Sequence, residues 1–559
     1  MTAGSTRESS PKYQGMKQQP SHDHAKSWGS VPYSALANGL AVGVWLLALV
    51  FNLLTLVWSW SQPILDQHGF RQTQTALSAY WLHAGGPLLA YQTPTLGAPW
   101  TIPFEFPLYQ WFVAALAGVL PFSLDQVGRL VSDGFFLATL WPLASITRSL
   151  GADRKLFLVA SGLLVLSPMY LFWSRALMIE STALFFSVGF VSLLMAYFRR
   201  PSTLLVGCLI AAAALASCVK ITTFVGFALA GAIITLADFA RHWRTHSISA
   251  LMMRYLWPAL AILIAIVTLA MWTHYADALK TQSRLGAVLT STNLNAWNFG
   301  TFPQRVSGAL WRDVVWGRST REAIGAVTPL ILALAAAAYL GKKAMAGLGV
   351  ALVLYVAPFL IFTNLHIVHN YYQYANGLFL VLGLAYVAWQ GLSRNPLFGS
   401  VVFVLLVGFE LLGFHRYFYP DMRKDMSDIR ALRVASFLDK QLPSDAMFVG
   451  FGLDWASDVP YYSKRKALLF PDWHETETLR NMRQAPSQYT GGLALGAIVE
   501  CPNKLADMPD MRDAYVSYMH DATAGMQQTV ISDCKIYYRA ADAGASTATA
   551  LPLAPHGPA

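Results

Sequence analysis

Long apolar runs recur along most of this chain and constrain its fold more than any other feature. A membrane-spanning helix needs roughly 20 consecutive apolar residues. Runs near that length predict spans at 35–60, 126–147, 156–172, 179–198, 202–219, 223–240, 252–272, 323–341, 345–363, 374–391 and 398–414. Charged residues make up 13% of the chain, about half the fraction found in soluble domains. We therefore predict a membrane all-α bundle of about 11 transmembrane helices.

Basic residues between these spans predict the orientation of the bundle. Segment 107–121 is apolar but only about fifteen residues long, and it begins with a proline. If this segment does not span, the basic loops share one side of the membrane: Arg7, Lys12, Lys17, Lys26, Arg148, Arg154, Lys155, Arg199, Arg200, Arg241, Arg244, Arg254, Lys342, Lys343 and Arg394. Basic loops favour the cytoplasm. We therefore expect 107–121 to be a juxtamembrane helix on the outer face, with the N-terminus inside and the C-terminal tail outside.

Composition divides the chain into four parts. These are a disordered cytoplasmic N-terminus (1–30), a transmembrane domain (31–415) with outer loops at 61–125 and 273–322, an extracytoplasmic α/β domain (416–540) and a disordered tail (541–559). Strand-like runs in the α/β domain cover Ala446–Phe451, Lys466–Phe470, Gly492–Val499 and Thr529–Tyr538. Cys501 and Cys534 border such runs, and an extracytoplasmic location would allow them to form a disulfide.

Polar and ionisable residues gather at the predicted outer ends of widely separated spans. They are Asp66, His68, Arg71, Glu105, Arg175, Glu180, Lys220, His366, His369, Asn370, Tyr371 and Tyr372. Ionisable groups at membrane depth are costly, so they indicate a site. Three structural alternatives remain open. Lys220 could extend to lipid phosphate, Arg175 could pair with Glu180, and the tyrosines could belong to an interfacial belt.

Asp66 is the residue that most strongly indicates a reaction. It precedes a run, 67–80, that reads as a helix, and a carboxylate capping a helix N-terminus stays ionised. An ionised carboxylate can act as a general base, while nearby cations stabilise a departing phosphate. The residue types therefore fit sugar transfer from a phosphate leaving group, with Asp66 as base and Arg71, Lys220, Arg175 and His369 as the phosphate-binding set. With one carboxylate as the base and no second carboxylate as a nucleophile, we expect inversion at the anomeric carbon.

Five motifs in order resemble those of the GT-C class of membrane glycosyltransferases, among them the bacterial relatives of protein O-mannosyltransferases and lipid A aminoarabinose transferases. The motifs are Asp66 with Arg71, Glu105-Phe106-Pro107-Leu108-Tyr109-Gln110-Trp111, Ser167-Pro168 with Ser174-Arg175, Lys220, and His369-Asn370-Tyr371-Tyr372. The second motif is similar to the family's Lys-Pro-Pro-Leu-Tyr-Tyr-Trp. Two departures stand out. Gln67 replaces the Glu of protein mannosyltransferases, which weakens a protein acceptor, and Glu105 reverses the charge of the signature Lys.

The resemblance implies an inverting enzyme that takes a sugar from a polyprenyl-phosphate carrier on the outer face of the bacterial inner membrane. Asp66 would be the catalytic base, and Arg71 and Lys220 would lie near the phosphate. We expect the substrate to contact His68, Glu105, Glu180, Tyr109, Tyr371 and Tyr372. No Asp-x-Asp occurs in the first outer loop, so no divalent metal or other cofactor is expected.

Two other functions stay open at this point. A ligase or polymerase that uses a polyprenyl-diphosphate donor would need more cations from the second outer loop, where Lys280, Arg284, Arg305 and Arg312 are available. A transporter or lipid flippase would place polar residues at mid-bilayer. The predicted partners are a lipid-linked sugar, membrane lipid and a glycan, glycolipid or protein acceptor. No basic run interleaved with aromatic residues occurs, so nucleic acid is not expected.

Overall fold

The computed structural model describes residues 33–539, so the disorder predicted for 1–30 and 541–559 lies outside the described residues. Its first nineteen helices are α1 (Tyr33–Trp58), α2 (Gly69–His83), α3 (Leu108–Ala117), α4 (Leu124–Ala138), α5 (Leu140–Ser149), α6 (Arg154–Leu166), α7 (Pro168–Trp173), α8 (Glu180–Arg199), α9 (Thr203–His242), α10 (Ile248–Lys280), α11 (Asn295–Phe299), α12 (Phe302–Arg305), α13 (Thr320–Ile324), α14 (Thr328–Leu340), α15 (Lys342–Ile361), α16 (Thr363–Val368), α17 (Gln373–Arg394), α18 (Pro396–Tyr417) and α19 (Tyr419–Met422). A 3₁₀ turn at Gly286–Leu289 and a π-helix at Ala309–Ser319 complete this part.

Eight helices within residues 33–539 are long and apolar enough to cross a membrane, or nine if the bent pair that ends in α14 counts as one span. This is fewer than the eleven apolar runs because several runs are broken or joined. The third run is split at Ser167 into α6 and α7. The fifth and sixth runs form the two parts of α9 on either side of the non-helical Lys220, and these parts are counted once. The bundle is nevertheless a helical membrane architecture, as predicted.

The first outer loop folds into short elements rather than a span. Helix α3 has ten residues and is about 15 Å long, half of what a bilayer core requires. The loop also contains α2 and a small antiparallel bridge between Gln92 and Thr101. Segment 107–121 therefore has the length of a juxtamembrane helix, in agreement with the sequence.

The C-terminal domain is α/β, as predicted. It contains helices α20 (Arg430–Gln441), α21 (Asp458–Ser463), α22 (Thr476–Gln484), α23 (Ser487–Thr490) and α24 (Pro509–Ala522), with strands β1 (Met447–Phe451), β2 (Lys466–Phe470), β3 (Leu495–Glu500), β4 (Gln527–Ile531) and β5 (Cys534–Tyr538). The strand order is β2-β1-β3-β5-β4. Strand β1 pairs in parallel with β2 and β3, whereas β5 pairs antiparallel with β3 and β4.

The apolar run Thr529–Tyr538 is a hairpin and not the single strand that the sequence suggested. Strands β4 and β5 turn at Ser532 and Asp533, where Ser532 has a φ of 56°. A positive φ is compatible with a tight hairpin turn. The polar pair inside the apolar run is thus a turn.

Tyrosines attach the C-terminal domain to the membrane part. The hydroxyls of Tyr461 and Tyr462 both donate to the carboxylate of Asp125 at the start of α4. The Tyr462 hydroxyl also accepts the backbone N–H of Ile64 at 2.9 Å, and Leu96 bridges Leu468 of β2. The domain therefore contacts segment 61–125, which carries Asp66.

Cys501 and Cys534 form a disulfide, which joins the end of β3 to the start of β5. The two cysteines are 33 residues apart in the sequence. Closing a loop of that size restricts the unfolded chain. The pairing that the sequence left open is therefore present.

Replacing both Cys501 and Cys534 with Ala should lower the stability of the C-terminal domain by roughly 3–4 kcal/mol, by the loop-entropy relation. We expect calorimetry of the full chain to show the transition of this domain at a lower temperature. Cys208→Ala removes a free, exposed cysteine and serves as the control. An equal shift in the control and the double variant would contradict the prediction.

Candidate active site

Asp66 lies in the turn between α1 and α2, but it does not cap α2 as predicted. His68, in the left-handed conformation with a φ of 46°, occupies the N-cap position, and the helix begins at Gly69. Asp66 Oδ1 instead accepts the backbone N–H of Gln67 at 2.9 Å and the side-chain amide of Gln72 at 2.7 Å. The helix starts two residues later than the sequence suggested, so the first turn holds Asp66 through Gln72.

A buried ion pair joins Asp66 to Arg175. Arg175 Nη2 lies 2.8 Å from Asp66 Oδ2, and both side chains are 1% exposed. Burial by itself would raise the pKa of Asp66, but Arg175, Arg129 and the hydrogen bonds more than offset it, so the pKa lies below the ordinary value of 3.8. Asp66 is therefore ionised at neutral pH. The Arg175 guanidinium also lies over the ring of Phe172, 4.4 Å from its centroid.

Lys220 occupies the kink of α9, where its φ of −162° and ψ of 96° are not helical. Its ammonium pairs with Glu180, and both side chains are 4% exposed. The same ammonium lies 4.3 Å from the ring centroid of Tyr372 and 5.0 Å from that of Tyr371. Lys220 thus points into the bundle, and the alternative that it extends to lipid phosphate is wrong.

The sequence had left open whether Arg175 pairs with Glu180, and in the structure the two residues do not pair. Each pairs with another part of the chain, Arg175 with Asp66 and Glu180 with Lys220. Arg175 lies in the link between α7 and α8, and Glu180 is the first residue of α8, so both partners come from residues 174–180. Residues 174–180 therefore provide partners for both Asp66 and Lys220.

Arg71 and Glu105 form a third ion pair, with Arg71 also donating to Gln74. The Tyr91 hydroxyl fixes the Glu105 segment, because it donates to the Glu105 carbonyl at 3.0 Å and accepts the N–H of Phe104 at 2.7 Å. Arg71 thus neutralises the negative charge that Glu105 introduces at the position of the family's lysine. Unlike the other two pairs, this one remains partly exposed, with side chains 14% and 25% accessible.

Four rings pack together beside these pairs. The His68 ring centroid lies 4.9 Å from that of Tyr371 and 5.4 Å from that of His369. Tyr371 stacks on His369 at 5.3 Å and on Tyr372 at 4.8 Å. Burial lowers the pKa of His369 to about 4, with contributions from His68 and nearby cations. His369 is consequently neutral at pH 7, so it can bind a phosphate as a neutral donor and not as a cation.

A cavity of about 250 Å³ opens beside Lys220, lined also by Glu105, Tyr372 and Lys280. Lys280 is 6% exposed, and its ammonium is 3.3 Å from Asp277. The Asp277 carboxylate also accepts the N–H and hydroxyl of Ser291. Lys280 therefore retains donors for another partner, since an ammonium has three.

The cavity does not include every residue of the predicted site. Its lining residues do not include Asp66, Arg71 and Arg175. A larger cavity of about 690 Å³, lined by Tyr197, Arg254 and others, contains none of the predicted site residues. Arg254 there is already bound to Asp238, so the smaller cavity is the better candidate.

Tyr109 lies apart from the cluster. Its hydroxyl donates to the Gly128 carbonyl at 2.8 Å and lies 2.8 Å from the Ser132 hydroxyl, which ties α3 to α4. The side chain is fully buried, so its observed contacts are those of a packing residue. The motif that contains Tyr109 therefore contributes Glu105 to the site and Tyr109 to the core.

The structure also adds residues that the sequence did not single out. Gln72 binds Asp66 and accepts the N–H of Leu177 at 3.1 Å, and Arg129 contributes positive charge near Asp66. Gln72 lies one helical turn after His68, a spacing that could have identified it. Arg129 lies within the predicted span 126–147, where its charge was itself a signal. Within residues 33–539, no three His, Cys, Asp or Glu side chains come together as metal ligands.

Comparison with known proteins gives the same architecture. No protein-family model and no curated protein matches the chain. The structure is similar to that of ArnT from Cupriavidus metallidurans bound to undecaprenyl phosphate, with a TM-score of 0.51 and 12% identity over 91% of this chain and 98% of that one. The structure of ArnT in the apo state has a TM-score of 0.50 and 12% identity, over 88% of this chain and 97% of that one. Arabinofuranosyltransferase AftD from Mycobacteria has a TM-score of 0.47 and 14% identity, over 89% of this chain and 40% of that one. The two ArnT structures confirm the predicted GT-C-like fold of a multi-pass membrane protein.

Proposed function

We propose that this protein is an inverting glycosyltransferase that moves a sugar from a polyprenyl-phosphate carrier to an acceptor hydroxyl, on the outer face of a bacterial inner membrane. One observation carries the proposal: the short segment 174–180 provides the ion-pair partners of both a buried carboxylate, Asp66, and a buried ammonium, Lys220. A base and a phosphate-binding cation are the two groups that such a transfer needs. The GT-C-like fold supports glycosyl transfer, and the similar ArnT structure is bound to undecaprenyl phosphate.

In the proposed reaction, the acceptor oxygen attacks the anomeric carbon and its proton passes to the Asp66 carboxylate. The bond between the anomeric carbon and the phosphate oxygen breaks, and its electron pair leaves with the polyprenyl phosphate. Lys220 and Arg71 stabilise the charge that develops on that phosphate, so no metal ion is proposed. A single displacement inverts the configuration at the anomeric carbon. NMR of donor and product would reveal retention, which this mechanism does not allow.

The ion pairs explain how two of these charges remain buried, and Arg71 half-buried, before the substrate binds. An unpaired buried charge is strongly destabilising, and Arg175, Glu180 and Glu105 neutralise Asp66, Lys220 and Arg71, respectively. Lys220 uses one of its three donors on Glu180. Its remaining donors are available to a phosphate in the cavity.

The low pKa of Asp66 predicts how activity depends on pH. Since this pKa lies below 3.8, the base stays ionised as the pH falls toward that value. The stabilisation from the Asp66–Arg175 pair is likewise present above the unfolded pKa and is lost only as the pH falls through the lower folded pKa. We expect the kcat/KM profile to show no acidic limb due to Asp66 between pH 5 and 7. An acidic limb in that range that moves in Asp66→Glu would contradict the assignment.

Envelope chemistry provides the direct test of the function. We expect mass spectrometry of envelope glycans and glycolipids to show the loss of one type of sugar addition in cells that lack this chain. Expression of the wild-type chain should restore that sugar, and expression of the Asp66→Asn variant should not. Unchanged glycans and glycolipids in the deleted strain would rule out the proposal.

The position of Lys280 favours a second candidate, a transferase that uses a polyprenyl-diphosphate donor. Among the four cations considered in the second outer loop, only Lys280 lines the cavity with Lys220. Arg284 binds Gln488, Arg305 binds the Leu360 carbonyl and Arg312 pairs with Asp313. For a monophosphate donor, Lys280→Ala should affect undecaprenyl phosphate and undecaprenyl diphosphate binding equally. A loss confined to the diphosphate would favour the second candidate.

A further inference from the structure

The strand order of the C-terminal sheet reverses at β1. Strand β1 lies between β2 and β3, and all three run in parallel, so their carboxyl ends meet at one edge. In sheets of this kind, ligands bind outside the carboxyl ends where neighbouring connections diverge. The loops at this edge are 452–457 after β1, 471–475 after β2 and 501–503 after β3. We call this edge the sheet crevice.

Aromatic and acidic side chains occupy the sheet crevice. Trp473 is 51% exposed, although it is a large apolar side chain. Its indole N–H lies 3.3 Å from Asp454 Oδ1, and its ring stacks on His474 with centroids 4.5 Å apart. The exposed indole is thus held in place by an acid from the neighbouring loop. Such a ring offers a flat, electron-rich face on which the C–H face of a sugar can pack.

Two buried polar atoms in the same loops lack a hydrogen-bond partner among residues 33–539. They are Nε2 of His474, whose side chain is 9% exposed, and the hydroxyl of Ser457, which is fully buried. Leaving a buried polar group unpaired is destabilising. Unsatisfied groups of this kind require an explanation. The Ser457 hydroxyl is closed off from any ligand, whereas a hydroxyl group bound against the His474 side chain would satisfy Nε2.

The sheet crevice is joined to the candidate active site by Trp455. Its ring centroid lies 4.8 Å from that of Phe70 and 6.0 Å from that of Phe104. These phenylalanines immediately precede Arg71 and Glu105, which form an ion pair. Phe104 also lines the cavity beside Lys220. The loop after β1 therefore contacts both segments that border the proposed donor site.

We infer that the sheet crevice binds the acceptor, and that the bound part of the acceptor is a neutral sugar ring stacked on Trp473 with its hydroxyls on Asp454 and His474. This inference rests on the proposed function. Exposed carboxylates at Asp454, Asp472 and Glu475 on the same loops disfavour a phosphorylated or carboxylated acceptor through like-charge repulsion. The C-terminal domain thus selects the acceptor, and the membrane part binds the donor.

The test uses the full chain in lipid nanodiscs with mannopentaose, maltopentaose and arabinopentaose as probes. Saturation-transfer NMR should show that the wild type binds at least one of them. We expect Trp473→Ala to weaken that binding at least tenfold and Trp473→Phe to retain part of it, because phenylalanine keeps a flat ring. Val530→Ala is the matched control. It removes an exposed apolar side chain from β4, at the opposite edge of the sheet, and should bind as wild type does.

Affinity for undecaprenyl phosphate, measured on the same samples, separates this inference from the proposed function. We expect Trp473→Ala to bind the carrier as wild type does. Absence of binding by all three pentasaccharides, or equal binding by wild type and Trp473→Ala, would overturn the acceptor site while leaving the donor site standing. A wild type that binds a pentasaccharide through Trp473 but does not bind undecaprenyl phosphate would support the crevice and count against the proposed donor.

Discussion

Asp66→Asn is expected to lower kcat by about 10²- to 10⁴-fold, which is the usual contribution of a general base. The amide keeps the shape of the side chain and can still accept from Gln67 and Gln72, but it cannot take the acceptor's proton. Affinity for the polyprenyl-phosphate donor should change little. Measurement of kcat with a saturating donor, together with donor affinity, tests this expectation. Activity within about tenfold of wild type would remove Asp66 from the reaction.

A second variant separates catalysis from stability. Asp66→Asn leaves Arg175 buried without its partner, and breaking a buried pair costs roughly 3–5 kcal/mol. In Asp66→Asn/Arg175→Met, neither charge remains, so thermal stability should recover substantially. A catalytic Asp66 predicts that this double variant folds but remains inactive. Recovery of activity along with stability would show that Asp66 serves only to neutralise Arg175.

Lys220→Ala is expected to weaken donor binding by roughly 10- to 150-fold, since a hydrogen bond to a charged group contributes about 1.5–3 kcal/mol. The ammonium is buried at the kink of α9 and lines the cavity, so water cannot readily replace it. Binding of undecaprenyl phosphate to the purified protein measures this effect. Lys343→Ala removes an exposed lysine at the start of α15 and should leave donor affinity unchanged.

The pairing of Lys220 with Glu180 requires its own control. Lys220→Met/Glu180→Gln removes both charges and avoids the unpaired carboxylate that Lys220→Ala leaves. If Lys220 binds the donor phosphate, the double variant should be stable and still bind the donor weakly. Donor affinity restored to the wild-type level would mean that the lysine only neutralises Glu180.

Local patterns predicted the parts of the fold that depend on neighbouring residues. Apolar length predicted helices over every proposed span, because a spanning helix must satisfy its own backbone hydrogen bonds. Alternation and turn residues predicted the strands of the C-terminal domain. The errors in these predicted elements arose where a polar residue or a turn interrupts an apolar run. A polar pair at Ser532 and Asp533 turned one apolar run into a hairpin, and Ser167 divides the third run into two helices.

The sequence by itself determined which ionisable residues stand at the ends of apolar runs, and therefore that Asp66, Arg71 and Lys220 needed partners within a membrane protein. Only the tertiary structure decided which partners they have. Arg175 pairs with Asp66 and not with Glu180, Lys280 enters the cavity with Lys220, and Tyr109 is taken into the core. The physical reason is the distance along the chain between the residues that interact. Burial and periodicity are read from adjacent residues, whereas ion pairs and cavities form between helices whose packing depends on the whole chain.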